Sequence, residues 1–215
     1  LVPNSYIGFQ HASSDFAEKR FGIPPGKRIL LYSGAIERGT DISFAQSIRL
    51  LPVAYVLFVN GFSRDGYVRT FKELFAHEIE SGRIIVNEET LNEEDYELLI
   101  RSSYICLAWY SKHLQDDFNM HFLGLSSGKL TRYLACGRPV IAPDYFHGYR
   151  ELVEDKSLGA VCSEAAGIPG AVARIESDYD RFTASVKAFY MEHLEFEMRF
   201  APVVAFLRTC LEPKQ

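Results

Sequence analysis

Short apolar runs rich in β-forming residues alternate with helical patterns from one end of this chain to the other. The first run, Ile29 to Tyr32, ends at Ser33-Gly34, and each run is followed by a segment with apolar residues at helical spacing. Such alternation is typical of a parallel sheet with helices on both faces, joined by right-handed crossovers. We therefore predict a doubly wound, Rossmann-like α/β fold with about six strands, at 29–32, 55–59, 83–86, 104–109, 138–142 and 159–162.

The helical segments are predicted from apolar spacing and from capping residues such as Asn92. They cover 41–51, 65–79, 92–100, 127–136, 149–154, 168–175 and 179–211, the last with a break near Glu195. With no internal repeat or flexible linker, residues 1–215 form one predicted domain. Its parts are a connector with a first helix (1–26), a Rossmann-like core (27–176) and C-terminal helices (177–215).

Composition narrows the class of function. The net charge is −5 and the pI about 5.7, which argues against a nucleic-acid partner. The four cysteines are scattered without a Cys-x-x-Cys pair, so neither metal nor redox chemistry is expected of them. No apolar run approaches the roughly 20 residues that span a bilayer, and no secretory signal opens the chain, so we expect a cytoplasmic protein.

Ligands of a doubly wound sheet bind beyond the carboxyl ends of its strands. This rule selects the loops that follow Tyr32, Val59, Val86, Tyr110 and Ala142. The search for a site is thereby reduced to five loops.

The strongest local signal within them is Ser126-Ser127-Gly128-Lys129. Either serine can cap a helix, and Gly128 allows a ligand to approach the backbone closely. Free N–H groups, the helix dipole and Lys129 would then attract an anion, with Arg132 on the same face. A simple helix cap beside an exposed lysine is the alternative, but a cation in the first helical turn is unfavourable without a bound anion.

A Walker A loop does not explain this segment. That motif needs four residues between its glycines and a Ser or Thr after the lysine. Here three residues separate Gly124 from Gly128, and Leu130 follows Lys129.

Several segments, in the correct order, resemble the glycosyl transferases group 1 family, which are retaining enzymes of the GT-B architecture. They are LYSGAIERGTDI (31–42), LLPVAYVLFVNG (50–61), LNEEDYELLIRSSYICLAWY (91–110) and, most specific, SSGKLTRYLACGRPVIAPDYFHGYRELVEDKSLGAVC (126–162). The resemblance covers roughly residues 28–176. It implies the C-terminal, donor-binding half of a GT-B fold, whose acceptor-binding N-terminal domain would be a separate Rossmann-like partner.

The resemblance also implies roles for individual residues. The loop that begins at Gly34 would bring Arg38 to the donor diphosphate, and Arg38 and Lys129 would stabilise the departing nucleotide. Asn87 and Glu88 lie where the family holds the base. The nucleotide-diphosphate sugar is the expected donor substrate, and neither a cofactor nor a metal is expected. No catalytic residue is identified from the sequence.

The chain departs from the family at two positions. The family often carries two glutamates eight positions apart, and here those positions hold Gly124 and Arg132. Arg132 could hydrogen-bond ribose or phosphate, although it cannot accept from hydroxyls. Asn119 or Asp117 in the preceding loop would then supply the sugar contacts.

The resulting expectation is a domain that binds a nucleotide sugar for transfer to a glycan or lipid-linked acceptor, with any contact to the inner face of the membrane made through the partner domain. A non-catalytic nucleotide-sugar-binding or partner subunit is the alternative, and a GT-B-type nucleotide-sugar epimerase ranks below it.

Overall fold

The computed structural model describes residues 4–38, 40–114, 120 and 124–211. Its centre is a six-stranded, all-parallel sheet in the order β3-β2-β1-β4-β5-β6. The strands are β1 (Arg28–Ser33), β2 (Tyr55–Asn60), β3 (Ile84–Asn87), β4 (Ile105–Leu107), β5 (Val140–Pro143) and β6 (Gly159–Cys162). The doubly wound α/β prediction is confirmed.

Helices connect these strands and cover both faces of the sheet. They are α1 (Phe16–Phe21), α2 (Tyr67–Leu74), α3 (Ala76–Glu80), α4 (Glu93–Ser102), α5 (Gly128–Ala135), α6 (His147–Arg150), α7 (Ile168–Glu176), α8 (Tyr179–His193) and α9 (Phe196–Leu211). The break predicted near Glu195 separates α8 from α9.

Three predicted elements differ in detail. The segment at Ile42–Arg49 is a 3-10 helix, although Asp41 does accept a hydrogen bond from the Ser43 N–H at its start. The single helix expected over 65–79 is two helices that meet at Phe75. Residues Glu151–Asp155 form one wide π-helical turn.

Successive side chains of each strand point to opposite faces of the sheet, which gives two apolar layers. Leu31 and Phe58 belong to one layer, and Leu30 and Leu57 to the other. The tight burial on both sides explains why the strands read as continuous apolar runs instead of alternating patterns.

The C-terminal helices differ in burial. The near-helical spacing of six aromatic residues predicts a buried stripe in this region: Phe182, Phe189, Tyr190, Phe196, Phe200 and Phe206. The prediction is confirmed along α8, where Phe182, Phe189 and Tyr190 are buried. It is wrong for α9, which buries none of its residues and leaves Phe206 65% exposed.

Candidate functional site

A cavity of about 480 Å³ lies at the carboxyl edge of the sheet. The order of the strands reverses between β1 and β4, and such a switch point is where doubly wound folds bind ligands. The walls of the cavity come from the ends of β1 and β2, the segments after the first three strands, the start of α5, and single residues of the N-terminal segment and of α4: Tyr6, Ser33, Gly34, Asn60, Gly61, Phe62, Glu88, Glu89, Thr90, Leu91, Tyr96, Gly128, Lys129 and Arg132.

Helix α5 begins at this cavity with a fixed N-terminus. Ser127 is its N-cap, and the Ser127 Oγ accepts a hydrogen bond from the Leu130 N–H at 3.2 Å and lies 3.1 Å from the Tyr110 hydroxyl. The capping prediction is therefore confirmed for Ser127. Gly128 lies in the first turn, where backbone N–H groups have no partner within the helix, and it is exposed at the cavity.

Lys129 is the cation of this site. Its Nζ donates to the Trp109 carbonyl at 3.3 Å and lies 4.4 Å and 4.5 Å from the ring centres of Tyr32 and Tyr110. No carboxylate among the described residues pairs with it, and burial lowers the pKa of its ammonium to about 7. A Cβ on Gly34 would meet this Nζ at 2.9 Å, so glycine at that position leaves the ammonium its space. The structure thus holds an unpaired, desolvated cation at a helix N-terminus.

Arg132 lies one turn further along α5 and is buried, and two carboxylates compensate its charge, although its Nε has no hydrogen-bond partner among the described residues. Its guanidinium pairs with Glu93 and, at 3.2 Å, with Glu97. It lies over the rings of Tyr6 and Tyr96, at 5.0 Å and 5.5 Å from their centres. Arg132 lines the cavity as part of its wall, with its charge compensated.

A row of polar side chains fixed by strand register runs along the cavity, and two of its members, Ser33 and Asn60, line it. Parallel pairing places Ser33, Asn60 and Asn87 side by side at the ends of β1, β2 and β3. The Asn60 amide donates to the Ser33 Oγ at 3.1 Å, and the Asn87 amide donates to the Asn60 Oδ1 at 2.8 Å.

The row continues into the neighbouring wall, because the Asn87 amide also donates to the Glu89 carbonyl at 3.0 Å. This row shapes the loop at 88–91, which lines the cavity.

The structure places the predicted site residues in different ways. The cavity brings together Gly34, Glu88, Gly128, Lys129 and Arg132. The side chains of Ser127 and Asn87 are engaged in the cap and in the polar row, beside the cavity. The Ser126 carbonyl accepts from the Asn4 amide at 2.8 Å.

Arg38 is placed differently, and Asn119 cannot be placed. Arg38 is exposed and lines two other cavities instead of the one that contains Lys129. The role of Arg38 at the diphosphate therefore stays a prediction. Asn119, like Asp117, lies outside the described residues.

Sequence reasoning missed the aromatic rings around Lys129 and the part played by Asn60. Tyr32 reads as a strand residue, and Tyr110 as the end of another. The available signal was positional, since Ser33, Asn60 and Asn87 each end a predicted strand and parallel pairing aligns such ends.

No group of three or more His, Cys, Asp or Glu side chains that could hold a metal ion occurs in the part of the chain that is described. The sequence Asp178-Tyr179-Asp180 has the Asp-x-Asp spacing of a metal motif but predicts a helix cap. Asp178 does precede α8, but its side chain makes no capping hydrogen bond and pairs with Arg181 at 2.6 Å. No helix among the described residues is long and apolar enough to cross a membrane.

No protein-family model and no curated protein matches the sequence. The fold, however, is shared with solved glycosyltransferase structures. HepE from Anabaena, in complex with UDP-glucose, matches with a TM-score of 0.68 and 13% identity over 95% of this chain and 57% of that one. The pneumococcal O-GlcNAc transferase GtfA, with UDP and GlcNAc, matches with a TM-score of 0.66 and 11% identity over 97% and 39%.

A third structure is a domain alone. The C-terminal domain of the glycosyl transferase group 1 family protein LpcC from Francisella tularensis matches with a TM-score of 0.61 and 16% identity, over 82% of this chain and 90% of that domain. The chain spans about half the length of HepE. Its fold is that of the C-terminal domain of a group 1 glycosyltransferase, the GT-B type.

Proposed function

We propose that this chain is the donor-binding domain of a glycosyltransferase that moves a sugar from a nucleotide-diphosphate sugar to a glycan or lipid-linked acceptor. The observation that carries the proposal is the unpaired Lys129 ammonium at the N-terminus of α5, inside a cavity at the switch point of the sheet. Retention of anomeric configuration and independence from metal belong to the same proposal.

The proposed chemistry places the donor diphosphate at the start of α5. As the bond between sugar and phosphate breaks, negative charge develops on the departing nucleotide, and the first-turn N–H groups and Lys129 would stabilise it. Arg38 would add a second cation when a ligand is bound. The base would lie toward the loop at 88–91, beside Asn87 and Glu88.

The proposed partner is a second Rossmann-like domain that carries the acceptor site. Its support is the matched length, since HepE has nearly twice the residues that this chain covers, and the apolar surface of α9. A 16-residue helix that buries nothing is marginal in water, so contact with a further domain would stabilise it. We propose a cytoplasmic location, with contact to the inner face of the membrane through that partner.

Titration of the chain with UDP, GDP and ADP tests the donor site. We expect at least one of the three to bind, and Lys129→Ala to weaken it at least tenfold, since a charge-assisted contact of about 1.5–3 kcal/mol is lost. Lys156→Ala, which removes an exposed lysine elsewhere, is the matched control and should change nothing. Failure of the unaltered chain to bind any of the three would defeat the proposal.

A non-catalytic nucleotide-sugar-binding subunit is the second candidate. The observation that favours it is Arg132, which stands where the family often has a glutamate and is occupied by Glu93 and Glu97. Weak nucleotide binding with no sugar transfer by the chain alone supports the transferase domain, and tight binding supports the subunit. Transfer activity from the isolated chain would contradict the need for a partner domain.

A further inference from the structure

A second cavity, of about 660 Å³, lies beside the segment that follows β1 and shares no lining residue with the first. That segment contributes Gly34 to the first cavity and Arg38, Thr40 and Asp41 to the second. The remaining walls come from the 3-10 helix, from α2 and the residue that follows it, and from the segment after β4: Ile42, Ser43, Gln46, Arg49, Tyr67, Leu74, Phe75, Ser111, Lys112 and His113.

This second cavity is cationic, although the chain as a whole is acidic with a net charge of −5. Arg38 and Lys112 form no ion pair within the described ranges. Arg49 is held by Glu78, with Nε to Oε1 at 2.7 Å. Local charge of one sign in a concave site attracts a ligand of the opposite sign.

The one acidic side chain that lines the cavity compensates only part of this charge. The Asp41 carboxylate accepts from the Trp109 indole N–H at 3.0 Å and from the Ser43 N–H at 3.0 Å, which holds it in place. Arg38 and Lys112 carry two positive charges against this one negative charge, so the lining as a whole keeps a surplus of positive charge.

The uncharged part of the lining is suited to hydroxyl groups. The side chains of Ser43, Gln46 and Tyr67 line the cavity and make no hydrogen bond to any other described residue, so their polar groups are available to a ligand. Leu74 and Phe75 supply an apolar surface beside them. Small-molecule sites combine such surfaces with a few polar groups, and their volumes of about 300–1,000 Å³ include this one.

We infer that this second cavity binds a phosphorylated sugar. The cations take the phosphate, for which arginine and lysine are the usual ligands, and the serine, amide and phenol groups take the sugar hydroxyls. The inference stands on the second cavity alone and does not need a nucleotide in the first.

Glucose 6-phosphate is the probe, titrated at low ionic strength and followed by calorimetry or by amide chemical shifts. We expect binding in the millimolar range or tighter, with free glucose and inorganic phosphate each weaker than glucose 6-phosphate. Lys112→Glu should weaken it about tenfold, because an attraction becomes a repulsion. Gln46→Ala, which keeps every charge, should weaken glucose 6-phosphate about threefold and leave inorganic phosphate unchanged.

Two matched variants complete the design, and Arg38 is left in place because the diphosphate proposal also uses it. Lys156→Glu makes the same change of charge at an exposed position outside both cavities and should leave binding intact. Lys129→Ala should also leave glucose 6-phosphate binding intact, whatever it does to UDP.

Three results would overturn the inference: no response to glucose 6-phosphate, equal responses to glucose 6-phosphate and inorganic phosphate, or loss of the response in Lys129→Ala, which would place the probe in the first cavity. Absence of UDP binding, by contrast, would count against the donor site only.

Discussion

The first and second turns of α5 each carry a desolvated cation, and the two differ in their partners. Lys129, in the first turn, has a carbonyl and two aromatic rings around it but no carboxylate among the described residues. Arg132, in the second, has two carboxylates as well as two rings. The first cation is left for a ligand, whereas the second is part of the wall.

The difference shows how a site can be distinguished from the structure around it. Burying a charge without a partner costs free energy, and such a cost persists where binding requires it. A buried charge with its partners indicates only that the chain has completed its own interactions. Substitutions at Lys129 and Arg132 test this distinction.

The largest effect expected is a pair of stability changes of opposite sign. Arg132→Met should lower the free energy of unfolding by about 1–3 kcal/mol, since the ion pairs and the contacts to Tyr6 and Tyr96 are lost. Lys129→Met keeps the apolar stem and removes an unpaired ammonium, so it should raise that free energy by up to about 1 kcal/mol. Urea denaturation measures both.

Lys156→Met, at an exposed position, is the control and should stay within about 0.5 kcal/mol of the unaltered chain. Destabilisation of similar size by both α5 variants would mean that Lys129 is an ordinary structural residue, and the contrast would be lost.

The pH dependence of UDP binding is the next test of the difference between Lys129 and Arg132. Burial lowers the pKa of Lys129 to about 7, so above this pH the free site loses the proton that an anion needs. UDP affinity should fall roughly tenfold between pH 7 and about pH 8.5, with proton uptake on binding. Calorimetry in buffers of different ionisation enthalpy detects that proton.

Lys129→Arg should remove this dependence, because a guanidinium stays charged throughout the range. If the UDP affinity of the unaltered chain did not change with pH over this range, the Lys129 ammonium would keep its proton in the free site.

The same pKa has a consequence for the unliganded chain. The folded-state pKa, about 7, lies below the ordinary lysine value of 10.5, so the unfolded state binds more protons between these two values. The free energy of unfolding should therefore gain a rising contribution from Lys129 as the pH increases from about 7 to 10. Comparison with Lys129→Met, by urea denaturation at several pH values, isolates that contribution.

A smaller effect is expected from the row of Ser33, Asn60 and Asn87, whose side chains are hydrogen-bonded to one another. Asn60→Ala removes hydrogen bonds to both Ser33 and Asn87 and should loosen the loop at 88–91. UDP affinity should drop about threefold to tenfold, while inorganic pyrophosphate, which needs only the α5 end, should bind as before. An equal loss for both ligands would show that the row supports the whole cavity.

The smallest effect is expected at α9. Phe206→Ser and Leu207→Ser should each change the unfolding free energy of this chain by less than about 0.5 kcal/mol, since both side chains are already more than half exposed. A large loss measured by urea denaturation would mean that α9 packs against something in solution.

Much of the fold could be predicted from the sequence because each strand carries its own signal. The runs at Ile29 and Tyr55 are continuous and apolar, and turn residues such as Asn60-Gly61 end them, so strand count and order of elements followed directly. The type of helix could not be predicted from the sequence. Spacing of apolar residues cannot separate the 3-10 geometry at Ile42–Arg49 from an α-helix.

The site was predictable only where it is local. Ser127, Gly128 and Lys129 are consecutive, so their cap and helix end could be inferred from the sequence. The rings over Lys129 come from strand β1 and from the segment after β4, and contacts across such distances leave no local pattern. Burial of the α9 aromatics failed for a related reason, because periodicity shows that a face is apolar and not what covers it.

The position of β1 at the centre of the sheet has a consequence for how the protein folds. Leu30 pairs with Leu57 on one side, close in sequence, and with Ile105 on the other, across a far longer stretch of chain. Distant pairings of this kind form slowly, so the seam between β1 and β4 should close late. Gly34, after β1, lies close to Lys129, which follows β4 in the chain. The recovery of nucleotide binding during refolding would therefore report when β1 and β4 pair.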